Sequence, residues 1–218
     1  MRCLVTAGPT YESLDEVRRL TNFSTGRLGT ELAGFLTQRG HRVTLLRGEQ
    51  STWGGERRAD SVETFSTTAD LQERLERHSA EGIEALFHAA AVSDFTFGKI
   101  WEREESGALH PIRGGKLSTR QGTLLAELIP TPKVLAQLRG WYPDARLIGW
   151  KFEVDGSQSD VLEKAESQLR ENRTNACVVN GQAYGDGFGL VTGSGQCHHQ
   201  PDKERLFLSL ALLVEGRF

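Results

Sequence analysis

Short apolar runs alternate with amphipathic stretches along this chain, and the rhythm predicts strands that are each followed by a helix. Residues 2–7 form one apolar run ending at Gly8, and residues 41–46 form another. Between them Leu28, Leu32, Phe35 and Leu36 recur at helical spacing, so residues 24–39 are expected to be a helix that Gly40 stops. These pieces make a β-α-β unit, whose parallel crossover is right-handed. Farther on, residues 61–65 suit a short strand, and residues 68–79 a polar helix with Leu71 and Leu75 turned inward. Residues 83–92 are apolar throughout, the pattern of a strand covered on both faces. Residues 131–138 predict a helix with Pro132 at its first position, where the missing N–H has no partner to lose. A strand at 146–152, a helix at 159–171, a strand at 176–180 and a closing helix at 202–214, capped by Asp202, complete the series.

This order predicts an α/β, Rossmann-like fold with a doubly wound, mostly parallel sheet, and a single domain over 1–218. One stretch breaks the rhythm. Residues 95–123 mix glycines with charges of both signs and show no period, which points to a functional flap extending to about 130. Within it, residues 116–129 suit a hairpin turning at Gln121-Gly122.

Composition narrows what such a fold can bind. Of 218 residues, 38% are hydrophobic and 25% charged, as in a folded globular domain. The net charge of −3 offers no bulk attraction to nucleic acid or an anionic membrane, so neither partner is expected. Any anionic ligand must be held by local groups. No apolar run approaches the roughly 20 residues that span a bilayer, and the amino terminus enters a strand directly, so cytoplasmic residence is expected. Cys3 and Cys177 sit in apolar runs and read as inert thiols. Cys197, His198 and His199 lack a second ligand pair, so no metal site is expected there.

Candidate chemistry gathers behind the first strand. Thr6-Ala7-Gly8-Pro9-Thr10 occupies the position where open α/β sheets hold their ligands. The next helix opens through Ser24-Thr25-Gly26, and a helix start with free N–H groups attracts anions. Two readings stand side by side: Gly8, Ser24, Thr25 and Gly26 cradle a phosphate, or Ser24 caps the helix while Gly26 and Gly29 pack on the sheet. The gap from Gly8 to the helix is too long for the dinucleotide fingerprint, and the second strand ends Leu46-Arg47-Gly48 with no acidic residue for a ribose. An NAD(P)-dependent reductase is disfavoured.

The blocks Val5–Thr10, Leu14–Arg18, Asn22–Gly29, Ala89–Asp94, Lys116-Leu117, Thr131–Leu135, Ile148–Trp150 and Ala176–Asn180 appear in this order. In that order the chain resembles phosphopantothenoylcysteine synthetase, the carboxy-terminal ligase half of the bacterial coenzyme A flavoprotein. The resemblance implies a ligase that activates the carboxylate of 4′-phosphopantothenate with CTP, as an acyl-cytidylate, and then joins it to cysteine. It implies that Asn22 bonds the acyl-nucleotide, Arg18 supports amide formation and Lys116 neutralises charge on the α-phosphate. Ala90, Asp94, Pro132, Lys133, Val134, Leu135 and Trp150 would line the nucleotide site, and magnesium would accompany the triphosphate. Asn22 also suits a plain turn, and Lys99 competes with Lys116 for the catalytic place. The resemblance further implies a homodimer paired through the flap. Departures are clear: two lysines that meet the triphosphate in the family are Gln168 and Asn172 here, residues 189–195 replace an asparagine-bearing segment, and the decarboxylase half is missing. A stand-alone ligase, with a separate decarboxylase, is therefore set against a divergent homologue that binds a nucleotide or phosphorylated metabolite without turnover.

Overall fold

The computed structural model describes residues 1–112, 114–117 and 122–218. Its elements run β1 (Arg2–Pro9), β2 (Tyr11–Ser13), β3 (Arg19–Thr21), α1 (Arg27–Gln38), β4 (Arg42–Gly48), β5 (Ser61–Phe65) and α2 (Thr68–His78). They continue β6 (Ala85–Ala91), β7 (Phe95–Arg103), β8 (Leu109–Ile112), β9 (Thr123–Pro130), α3 (Val134–Trp141), β10 (Arg146–Phe152), α4 (Gln158–Asn172), β11 (Ala176–Asn180), β12 (Phe188–Thr192), β13 (Cys197–Gln200) and α5 (Lys203–Val214). A central sheet has the order β13-β12-β11-β10-β6-β1-β4-β5. Its six strands from β11 to β5 are parallel, while β12 and β13 join antiparallel. The doubly wound expectation holds. The chain winds outward from β1 in both directions, so the order reverses between β1 and β6, and a crevice opens beyond their carboxyl ends.

Burial explains the strands. Every residue of β1 after Arg2 is buried, as a strand covered on both faces demands. On one face Val5, Ala7, Phe87 and Ile148 pack against Leu32 and Leu36 of α1 and Leu206 and Leu210 of α5. On the other, Leu4, Leu86 and Leu147 pack against Leu71 and Leu75 of α2 and Leu138 of α3, with α4 alongside on Cys177 and Val179. Ser157 and Asp160 close a reciprocal capping box at the start of α4, and Asp202 caps α5.

Several boundaries and one region differ from the sequence reading. Helix α1 begins at Arg27, not at residue 24, because Gly26 turns left-handed (φ 76°) and serves as its N-cap with no side-chain bond. Ser24 therefore caps nothing. Helix α3 begins at Val134 after Lys133, so Pro132 lies before the helix rather than in its first turn. The flap is not irregular: β8-β7-β9 form a three-stranded antiparallel sheet. β9 pairs with β7, while the turn expected at Gln121 lies outside the described residues. The short pair β2-β3 and the antiparallel strands β12 and β13 were not expected at all.

Candidate active site

The crevice starts where β1 leaves the sheet. Gly8 takes a left-handed turn (φ 84°), and the Thr10 N–H donates to the Ala91 carbonyl (3.1 Å), which ties the two strand ends together. Beneath them the buried Thr10 hydroxyl donates to Ser93 Oγ (3.0 Å) and accepts the Ser93 N–H (2.8 Å). One level lower, the Ala90 N–H donates to Thr6 Oγ1 (3.1 Å), and that hydroxyl lies 3.0 Å from His88 Nδ1. Burial pushes the His88 pKa down to about 4, so the ring stays neutral.

Asn22 sits over the strand ends. Its Nδ2 donates to the carbonyls of Ala91 and Val92, both at 3.2 Å. Arg18 grips Asp15 (2.5 Å) and also donates to the Leu117 carbonyl (2.7 Å). The Asp15 carboxylate in turn accepts the N–H of Leu117 (3.1 Å), and Glu16 N–H donates to the Gly115 carbonyl (2.9 Å). The Arg18 guanidinium, followed by these backbone donors, holds the Asp15 carboxyl well below the usual carboxylate range. The result is a clamp across about 100 residues that brings exposed Lys116 beside Arg18. Asp15, the connector, was absent from the sequence-based candidates. Lys99, the rival lysine, lies in β7, where its N–H donates to Glu127.

Most of the candidates expected on the nucleotide side gather where β6 ends and α3 begins. Asp94 follows β6, is exposed, and pairs with Lys133 Nζ (2.5 Å) at the start of α3. The Thr131 N–H donates to the Asp94 carbonyl (2.9 Å), so Pro132, Lys133, Val134 and Leu135 are delivered directly to the end of β6. Ala90 is half-buried against the same cluster as Leu135. Trp150, at the end of β10, packs instead on the α1 and α5 side, and its buried indole N–H has no partner among the described residues.

Two groups do not reach the crevice. Gln168 Nε2 lies 3.1 Å from Cys177 Sγ under Gly149, and Asn172 Nδ2 donates to the Gln168 carbonyl (2.9 Å). The glycines also divide. A Cβ on Gly29 would meet Ala7 and Thr6 of β1 within 3 Å, so Gly29 is a packing residue. At Gly8 and Gly26 the freed space faces Ser51 Oγ. Thr25 Oγ1 accepts the Arg27 N–H (3.2 Å), while Ser24 makes a local turn to Asn22 (2.8 Å). Among the described residues no group of three His, Cys, Asp or Glu could hold a metal; Cys197 and His199 instead face Tyr184.

With this geometry in hand, residues 1–206 match the family described as the DNA/pantothenate metabolism flavoprotein C-terminal domain. The chain belongs to this family. Its relatives include the coenzyme A biosynthesis bifunctional protein CoaBC of Thermococcus kodakarensis, 32% identical over 183 residues, or 82% of this chain. That stretch is 41% of the relative, so the chain spans less than half the length of this CoaBC. The crystal structure of the DNA/pantothenate metabolism flavoprotein from Streptococcus pneumoniae superposes over the whole of both chains with a TM-score of 0.87 at 26% identity. The same fold appears in a Cab2 variant solved in complex with phosphopantothenate-cysteine, at TM-score 0.77 and 20% identity, covering 99% of this chain and 87% of that one. The family and fold named by the sequence blocks are thereby established.

Proposed function

We propose that this domain joins 4′-phosphopantothenate to cysteine, using CTP to activate the carboxylate. The observation that carries the reading is the clamp of Asp15, Arg18 and Leu117, which joins the segment bearing Lys116 to the loop bearing Arg18, while Asn22 bonds the end of β6. Family membership and the fold shared with a protein caught holding phosphopantothenate-cysteine support it.

In the first step a carboxylate oxygen attacks the α-phosphorus, a new P–O bond forms, and pyrophosphate leaves. In the second, the cysteine amine attacks the acyl carbon, the C–O bond to CMP breaks, and the amine proton passes to solvent. Catalysis of such steps is mostly positioning and charge stabilisation. Lys116 neutralises the α-phosphate, the Asn22 amide oxygen and its held Nδ2 orient the acyl group, and Arg18 steadies the region from its Asp15 partner. Asp94 and the Pro132–Leu135 segment receive ribose and base. Magnesium would accompany the triphosphate as its counter-ion, offsetting charge on the leaving pyrophosphate. The domain works in the cytoplasm, and as a homodimer through the three-stranded flap, whose Leu109, Leu125, Leu128 and Ile129 are exposed. Sedimentation showing only monomer at micromolar concentration would remove the dimer.

The test is pyrophosphate release from CTP in the presence of phosphopantothenate, followed by cysteine-dependent CMP release. Release with CTP is expected; none with CTP, ATP or other nucleotides overturns the reading. A second reading, binding without turnover, is favoured by the inward turn of Gln168 and Asn172. Calorimetric binding of nucleotide with no pyrophosphate released would select it.

A further inference from the structure

Arg47 closes β4 at the carboxyl edge of the sheet, directly across from Ala7 in register and on the face that packs α1. It is 4% exposed, yet no carboxylate among the described residues pairs with it. Among the described residues its side chain bonds only through one guanidinium nitrogen, to the carbonyls of Ser51 (2.9 Å) and Trp53 (2.7 Å), and its Nε has no partner. The charge that bears on it is that of Arg57, of the same sign. Buried cations without a counter-charge are rare and costly.

The surroundings are equally short of negative charge. Helix α1 starts here with no acidic residue in its first turn and no side-chain cap, so its positive end is uncompensated. Ser51, whose carbonyl Arg47 holds, points a buried hydroxyl with no partner into the gap between Gly8 and Gly26. Its position is fixed by Ser51 N–H donating to the Gly48 carbonyl (2.9 Å) and by Trp53 N–H donating to the Thr25 carbonyl (3.1 Å). An unpartnered Ser51 hydroxyl thus lies against two glycine backbones at the start of α1, and the loop that carries it is held by Arg47, whose Nε is also unpartnered.

We propose that Arg47 and Ser51, together with the Gly8 and Gly26 backbone, form a recessed pocket for a terminal phosphate group of a substrate. The inference rests on the ligase reading for its substrates, and it adds two side chains from the loop after β4 to the phosphate-binding groups. The chemistry fits either the β- and γ-phosphates of the nucleotide or the phosphate of phosphopantothenate.

The experiment is calorimetry on the full chain with inorganic pyrophosphate, CTP, CMP and 4′-phosphopantothenate, using wild type, Arg47→Met, Arg47→Lys and Ser51→Ala. If the pocket takes the nucleotide tail, Arg47→Met weakens pyrophosphate and CTP by at least 10-fold, and Ser51→Ala by about 3-fold, with CMP within 2-fold of wild type. If it takes the other source, phosphopantothenate alone shows these losses. Arg47→Lys retains part of the affinity in either case. A purely structural arginine would instead weaken CMP along with CTP, or nothing, and either result overturns the pocket. Should Arg47→Met not fold, Ser51→Ala decides: unchanged affinity for all four ligands rejects the proposal. Pyrophosphate binding that Arg47 controls, without any ligation, would keep the pocket and reject the ligase reading.

Discussion

On one wall of the crevice, charged side chains are held out by a network: Asp15 grips Arg18, both reach Leu117, and Lys116 is carried along. Where the resemblance expects a second wall, at α4, Gln168 and Asn172 are neutral and bonded inward, to Cys177 and to the helix's own backbone, short of the crevice. The first wall is organised for charge and the second for packing. Under the proposed ligase reading, such a site keeps the clamp that serves the reacting phosphorus and loses the α4 charges that would grip the rest of the nucleotide. The difference predicts a normal chemical step served by weakened nucleotide binding.

That contrast can be broken at its strongest point first. Lys116→Gln is expected to lower pyrophosphate release by about 10²–10³-fold with the fold intact, as when a single charge-stabilising donor is lost. A variant with near-normal turnover would move the chemistry away from the clamp, with Lys99→Gln the next variant to measure. The second test concerns the floor common to both walls. His88 is fully buried, with its pKa lowered from 6.5 to about 4, so below about pH 6.5 the unfolded chain takes up a proton that the native one refuses. Stability should fall by about 3 kcal/mol between pH 6.5 and 4, then level off, a figure that follows from about 1.4 kcal/mol per unit. Thermal melts of His88→Asn should lack that slope; an unchanged slope assigns it elsewhere.

Smaller effects sharpen the same comparison. Asp15→Asn keeps the shape but frees Arg18, and a fall in kcat of about 10-fold, with the KM for CTP little changed, is expected if positioning is lost. Equal loss in KM would mean that the clamp binds nucleotide. Gln168→Lys should act in the opposite direction, lowering the KM for CTP by about 10-fold, the value of one charged hydrogen bond. If CTP affinity stays the same, α4 is not a nucleotide wall in this chain.

The core of the fold was readable because strands such as β1, β6 and β11 are buried on both faces and so carry unbroken apolar runs. The flap was not, since β9 is mostly exposed and places Glu127 among its leucines, leaving no buried face to set a period. β12 and β13 were hidden for a related reason: the short, half-exposed β13 pairs His199, His198 and Cys197 with Gly189, Leu190 and Val191 of β12, with little side-chain pattern of its own. The start of α1 was misplaced because Ser24 and Thr25 look like caps, while the turn is made by Gly26. Of the site, Arg18, Asn22 and Lys116 were named from local blocks. Asp15 could not be, because its role depends on Leu117, about 100 residues away, and Arg47 drew notice only for the acidic residue that it replaces.

The Asp15 clamp has a consequence for how the molecule comes to life. Closing it requires residue 15 to find residue 117 across an intervening stretch that holds β4, β5 and β6 of the central sheet. Contacts of such long sequence separation are reached late in folding. In refolding from denaturant, recovery of Trp150 fluorescence should precede recovery of enzymatic turnover, so that a newly made chain passes through a native-looking but inert stage before its clamp shuts.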